Sequence, residues 1–268
     1  MELIHVKRLL KRAFIYLPIH IERNSTRQIY YHDVIRGDGI SFNSINVKKF
    51  RNQMEYIKQC GFNSLRFSEL DLTINRSDEC NKVLITFDDG YLSSFNIVYP
   101  IMKELNLNFN VFLEVGSIGK ENYLTWDMVN IMNNSGLVGF GAHTYSHMDV
   151  RYLSDGNLDR EIYGANQLIE SNTGIRVNDF CFPYGMYNRH VVNLLDSLKV
   201  YQRLYTSDGR PTIKKSHSYI MGRIGIENED DELSFVSKLS GRLNIYYYSI
   251  YILKGLLRYN RAQIYRAT

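Results

Sequence analysis

Long apolar runs are missing from this chain, as are the many cysteines and prolines that mark several other protein classes. The two apolar stretches near its ends, Ala13 to Ile21 and Ile245 to Leu253, fall well short of the roughly 20 apolar residues a bilayer-spanning helix needs. The first also carries Pro18 and His20 and is followed by no small-residue cleavage site, so it fits a secretory signal poorly. Three cysteines, Cys60, Cys80 and Cys181, are too few and too unevenly spaced for a disulfide framework or a Cys-rich zinc site, and they suit a reducing compartment. With four prolines and no Pro/Gly/Ser linker, repeat or low-complexity tract, nothing divides the 268 residues into separate units. The expectation is one folded domain, cytoplasmic or at the inner face of the membrane.

What is present fits that picture. A charged fraction of 22% and an aromatic fraction of 13% exclude a disordered or collagenous chain. The net charge of +4 is unevenly placed. Lys7, Arg8, Lys11 and Arg12 against Glu2 give residues 1–12 a net +3, and Lys254, Arg258, Arg261 and Arg266 give residues 251–268 +4, leaving about −3 between them. The basic ends, the second of them rich in Tyr and Ile, could meet an anionic bilayer as a peripheral contact; the plainer reading is a helix packed on the domain with its charges solvated. Nucleic acid is not expected, because the middle is acidic and carries no nucleic-acid motif.

Short apolar or β-branched runs alternate with helical patterns, the signature of β/α units and a parallel sheet. Strands are expected at Gln28 to His32, Ser64 to Phe67, Lys82 to Phe87, Asn110 to Glu114, Gly136 to Ala142, Asp179 to Pro183, Val200 to Tyr205 and Ile220 to Ile226. Helices are expected at Val47 to Cys60 (capped by Asn46), Phe95 to Leu105, Trp126 to Asn134 (capped by Thr125), Leu158 to Asn172, Arg189 to Leu198, Asp230 to Leu239 and Ile245 to Tyr259. In parallel α/β folds the chemistry sits at the carboxyl ends of strands.

Three strand ends stand out. Val83 to Phe87 runs into Asp88-Asp89-Gly90, where adjacent carboxylates suit either a cation with an acid/base role or an ordinary Asp-Gly turn. Val138 to Ala142 runs into His143-Thr144-Tyr145-Ser146-His147, whose imidazoles face one side if the backbone begins a helical turn. With one carboxylate they make a two-His, one-carboxylate set suited to a divalent metal. Phe182-Pro183-Tyr184-Gly185 closes a third strand and by itself reads as a loop exit.

Together, in this order, the TFDDG, HTYSH and FPYG runs resemble the polysaccharide deacetylase family, whose shared unit is the NodB homology domain. Supporting likenesses are Tyr30 to Val34, Leu124 to Asp127 and Arg223 to Ile226. The resemblance spans residues 28–240, between a basic segment at 1–27 and a basic, Tyr-rich segment at 241–268. It implies an α/β fold, a distorted (β/α) barrel of about seven parallel strands. It also implies hydrolysis of N-acetyl groups on the amino sugars of a glycan, with deformylation of a lipid-linked amino sugar or a catalytically impaired glycan-binding relic as alternatives. By that likeness Asp89, His143 and His147 hold a divalent metal, Zn²⁺ above all and otherwise Co²⁺ or Ni²⁺. Asp88 is the general base, and Pro183 and Tyr184 shape the oxyanion site through the Tyr184 N–H. Many members carry an arginine two residues before the motif proline to orient the base. Here Cys181 stands there, and the likeness to the poly-N-acetylglucosamine branch makes His32 the residue expected to do part of that work. His217 is a weak candidate for the general acid, and Trp126 is expected to line the pocket or pack beneath the histidine strand rather than hold sugar.

Overall fold

The computed structural model of the chain describes residues 13–16, 26–37, 43–70, 81–250 and 252–253. Twelve strands are present among them: β1 Arg27–Tyr31, β2 Asp33–Ile35, β3 Ser44–Asn46, β4 Asn63–Ser64, β5 Lys82–Phe87, β6 Phe109–Leu113, β7 Val138–Ala142, β8 Asp179–Cys181, β9 Arg203–Thr206, β10 Ile213–Lys214, β11 Tyr219–Gly222 and β12 Ile224–Gly225. The main sheet runs β10-β11-β9-β8-β7-β6-β5-β1-β12, with β4 beside β5. Its pairings are parallel except β10 with β11.

The sheet curls until one stretch of chain serves both of its ends. β11 pairs along β9, and directly after Arg223 the same segment continues as β12 along β1. The result is the expected distorted (β/α) barrel. Around it lie the helices α1 Val47–Gln59, α2 Tyr99–Leu105, α3 Trp126–Asn134, α4 Ala165–Thr173, α5 Arg189–Leu198 and α6 Glu232–Leu239.

Side chains alternate across the barrel wall, as the two-residue period of a strand requires. Val83, Ile85 and Phe87, Val111 and Leu113, Phe180 and Phe182, Leu204, and Ile220 join the large apolar layer beneath the helices. Their neighbours Leu84, Phe112, Cys181, Tyr205 and Met221 meet inside, together with Leu65, Phe67 and Leu70. Those last three arrive on β4 and the turn after it, a segment bonded into the starts of β5 and β6. Leu65 N–H donates to Val83 O, Phe67 N–H to Asn110 Oδ1, and Asn108 N–H to Ser64 Oγ. Phe67 plugs the amino end of the barrel, so the carboxyl end is the open one.

Helix starts follow their caps. Asn46 accepts from Lys48 N–H, Thr125 from Met128 N–H and Asn188 from Val191 N–H. The stripe Phe50, Met54 and Ile57 is buried as its spacing predicts. Two expected helices differ in kind: residues 94–98 and 159–164 are π-helical, each leading into a shorter α-helix. Pro100, with no N–H to give, accounts for the first opening. Of the expected strand Ser64 to Phe67 only its beginning is a strand, because the chain must turn inward to plug the barrel. The terminal helix expected from Ile245 is helical at 244–250 and 252–253, and residues 254–268 lie outside the described ones. Among the described residues no helix is long and apolar enough to cross a membrane.

Two inward positions on β7 must be glycine. A Cβ on Gly139 would lie 2.4 Å from Asn110 Oδ1, and one on Gly141 2.7 Å from the Phe112 ring and 2.8 Å from Asp179 O. Gly141→Ala is therefore expected to lose ~2 kcal/mol of stability through overpacking, read as a lowered urea midpoint with unchanged slope. A variant as stable as the parent would contradict this packing.

Candidate active site

The alternation that fills the barrel also arms its open end. The inward series Tyr30-His32, Thr86-Asp88, Gly141-His143, Cys181 and Met221-Arg223 converge at the carboxyl ends of β1, β5, β7, β8 and β11. Asp88 is buried, and its N–H donates to Tyr31 O. Its two carboxylate oxygens receive two nitrogens of Arg223, at 2.7 and 2.8 Å. Arg223 is fully buried, gives a further bond to Thr86 Oγ1 at 2.8 Å, and lies over the Tyr30 ring. Burial alone would raise the Asp88 pKa; the guanidinium overrides it and holds the carboxyl below its usual range. Burial pushes the Tyr30 phenol up to about 12, so it stays neutral.

Asp89 points to the other side of the same strand end, with φ +73°. One of its carboxylate oxygens, Oδ1, lies 3.4 Å from His143 Nε2 and 3.3 Å from His147 Nε2. That oxygen is buried and has no hydrogen-bond partner among the described residues. His143 Nδ1 is 2.8 Å from Cys181 O. A carbonyl can only accept, so the proton is on Nδ1 and the Nε2 lone pair faces Asp89. The His143-x-x-x-His147 spacing is realised by a loop rather than the expected helical turn, with Thr144 and His147 both at positive φ. Glu161 holds this loop: its carboxylate accepts from Tyr145 N–H, Ser146 N–H and Ser146 Oγ at 2.8 to 3.1 Å. The π-helical stretch turns Glu161 inward.

Two donor sets here could take a cation: Asp89, His143 and His147, or Asp88, His143 and Cys181. The second fails on charge. Asp88 is already neutralised by Arg223, whose Nη2 also lies 2.7 Å from Cys181 Sγ, and burial keeps the thiol protonated. The first set has an orphaned carboxylate oxygen between two imidazole nitrogens, an arrangement that a divalent metal satisfies.

Other expectations meet mixed outcomes. Tyr184 sits at φ +58° in the tight turn 183–185, its ring 65% exposed and edge-on to His147 at 4.6 Å. Its N–H has no acceptor among the described residues, since the turn is closed by Gly185 N–H to Phe182 O and Met186 N–H to Pro183 O. Pro183 is buried and shapes that turn. His32 lies against Tyr30 and within reach of the charges of Asp88, Asp89 and His143. The contact to the Asp88 carboxylate, part of which was expected of His32, is made by Arg223. His217 is exposed and precedes β11, at the plugged end of the barrel, so it cannot serve as the acid of this site. Trp126 is partly buried against the layer beneath the helices.

Arg223 and Glu161 escaped the sequence reading as working residues, yet both left a signal. Arg223 is the one charge in the apolar run 220–226, and Glu161 shares the buried stripe of Leu158, Ile162 and Ala165. A charge on an apolar face implies a buried partner.

Comparison with known proteins agrees with this geometry. The family model for polysaccharide deacetylases matches residues 75–202. The chain is 24% identical over 202 residues to YxkH of Bacillus subtilis, covering 74% of this chain and 70% of that one. It is 22% identical over 209 residues to the poly-beta-1,6-N-acetyl-D-glucosamine N-deacetylase of Staphylococcus aureus, covering 69% of each. Among solved structures, the Streptococcus pyogenes deacetylase PplD in complex with acetate superposes with a TM-score of 0.73 at 20% identity, over 81% of this chain and 99% of that one.

Glu161→Gln is expected to weaken Zn²⁺ binding about tenfold, as loss of an outer support does, in a calorimetric titration of the metal-free protein. Unchanged affinity would free Glu161 from this role.

Proposed function

The chain belongs to the polysaccharide deacetylase family, and from that premise we propose that it is a metal-dependent hydrolase removing N-acetyl groups from the amino sugars of a glycan. The observation that carries this reading is the pair of neighbouring carboxylates in opposite states: Asp89 aimed at two imidazoles, Asp88 gripped by a buried guanidinium. A glycan-binding relic would lack both the arginine and the late histidine of the family; here a buried guanidinium does meet Asp88, supplied by Arg223.

In this reading Asp89, His143 and His147 hold the metal, with Zn²⁺ the best match to two imidazoles and a carboxylate. When bound, such an ion polarises an acyl oxygen and makes water a stronger acid. The chain's own groups do the rest. Asp88, kept ionised by Arg223, accepts the proton of the attacking water. The unengaged N–H of Tyr184 donates to the oxyanion that forms on the acyl carbon. His32 is the remaining described imidazole near these groups, since His190 and His217 are exposed elsewhere, and it is placed to carry a proton to the leaving amine. The exposed Tyr184 ring and the stacked pair Tyr91 and Tyr123, 5.1 Å apart, offer faces to a sugar.

The deciding experiment measures acetate release from N-acetylglucosamine oligomers by protein loaded with Zn²⁺, Co²⁺ or Ni²⁺. Asp88→Asn is expected to lose roughly 10² to 10⁴ in kcat while keeping its metal. Equal rates for parent and variant, or no acetate with any metal, would sink the reading.

Arg223 generates a pH prediction with a definite sign. A base works only when ionised, and Arg223 lowers the pKa of Asp88. Without the guanidinium, burial raises it, so the acid limb of kcat/KM in Arg223→Met is expected to move to higher pH. The same variant leaves a buried carboxylate unpaired, at about 3–5 kcal/mol in stability. In the parent, the stabilisation from Asp88 is complete above about pH 4 and is lost as pH falls through its lower folded pKa. An unmoved acid limb in a folded variant would remove Asp88 as the base.

A further inference from the structure

A cavity of about 340 Å³ lies on the outer side of the barrel wall, between α1 and the start of α6, and the deacetylase site makes no use of it. That volume falls within the roughly 300–1,000 Å³ of small-molecule sites. From α1 it is lined by Gln53, Glu55 and Tyr56, and from the other side by Asp231, Glu232 and Phe235. Tyr56 and Phe235 meet edge to face with ring centroids 6.1 Å apart. Both helices begin at the open end of the barrel, because α1 follows β1 through β2 and β3, and α6 follows β12. The cavity is therefore on the flank of the same end that carries Asp88.

Gln53 points to a polar ligand. It is 6% exposed on a helix whose buried stripe is otherwise apolar: Phe50, Met54 and Ile57. Its Oε1 accepts from the Tyr31 hydroxyl at 2.9 Å, and its Nε2 is buried without a hydrogen-bond partner among the described residues. Turning the amide over only exchanges the two atoms, so one polar atom of this cavity wall is unsatisfied in either orientation. Such a group costs free energy until something polar meets it. The carboxylates add a sign. Asp230, which also lines the cavity, pairs with Lys238, and Asp231 accepts from Ser234 N–H as the cap of α6. Glu55 shares Arg51, at 3.7 Å, with Glu104, which takes two guanidinium nitrogens at 2.8 Å. Glu232 makes no hydrogen bond or ion pair among the described residues. Among the described residues lining the cavity, Lys49 is the one cation, and its Nζ donates to Asn228 O.

We propose that this cavity is a second sugar site, selective for an amino-sugar unit whose amine is free. Loss of the acyl group turns a neutral amide into an amine that is protonated near neutral pH, so product differs from substrate by one positive charge. Glu232 and Glu55 meet that ammonium, the unsatisfied Gln53 amide takes a ring hydroxyl, and Tyr56 and Phe235 lie against the C–H face of the sugar. An acetylated unit would cover the carboxylates without bringing a countercharge, and an acidic or phosphorylated sugar would be repelled. Beside the open end of the barrel, the cavity keeps a partly processed chain on the protein while further units reach Asp88. The origin of this ligand rests on the deacetylase reading; its binding does not.

The test is calorimetric titration of the full chain with a glucosamine tetramer, an N-acetylglucosamine tetramer and spermidine, the last an amine without hydroxyls. The glucosamine tetramer is expected to bind at least tenfold more tightly than spermidine, weakening with added salt, and to shift the Tyr56 and Phe235 ring resonances. Glu55→Gln/Glu232→Gln, at positions that reach the surface, is expected to lose at least fivefold in affinity for it. Gln53→Met is expected to lose a similar factor, and the double substitution keeps the test decisive if that buried change unfolds the protein. Affinity for the acetylated tetramer and acetate release from it are expected to stay unchanged in the double variant. Glucosamine affinity indifferent to the double substitution, spermidine binding as tight as the tetramer, or unshifted Tyr56 and Phe235 resonances would overturn the proposal. Selective binding without acetate release would instead count against the deacetylase reading alone.

Discussion

The bidentate contact between Arg223 and Asp88 is the constraint on which the open end of the barrel depends. Two charges removed from water repay their desolvation only in near-ideal geometry, and each has it here: Arg223 reaches both oxygens of Asp88 and Thr86 Oγ1. Arg223 is also the residue at which the chain leaves β9 for β1. Closure of the barrel and ionisation of Asp88 thus meet at one residue. Asp89, one residue on, is free to face His143 and His147 because Asp88 has absorbed the guanidinium.

Strained backbone gathers around the same place. Asp89, Thr144, His147 and Tyr184 all adopt positive φ without being glycine. Such conformations cost free energy and persist only where surrounding bonds enforce them. Glu161 enforces the histidine loop through three hydrogen bonds, and the approach of Gly116 N–H to Tyr145 O at 2.7 Å adds a further clamp. The imidazoles are held before any ligand arrives.

Much of this was legible from the sequence, for identifiable reasons. Lys82 to Phe87 and Trp126 to Asn134 have the bounds that apolar pattern and capping predict, because their burial is local and periodic. The strands β2, β3 and β10 were not legible: elements of two or three residues owe their existence to a partner rather than to a period. The cluster of Asp89, His143 and His147 was legible because they stand at two strand ends. The mate of Asp88 was not, since it lies 135 residues away in sequence and only the curl of the sheet joins them. Cys181 occupies the position where many relatives keep an arginine, and the sequence shows that loss without showing its replacement.

The single segment that serves both ends of the sheet also sets an order in time. During synthesis, Asp88, Asp89, His143 and His147 all leave the ribosome well before residue 223, and β5, β6 and β7, adjacent in the sheet, suffice to gather the carboxylates and imidazoles. Until residues 219–225 emerge and lie between β9 and β1, Asp88 lacks the guanidinium that pairs with it. The open end of the barrel is therefore completed by its last strand, and a nascent or clipped chain that lacks it carries the motifs without the Arg223 contact.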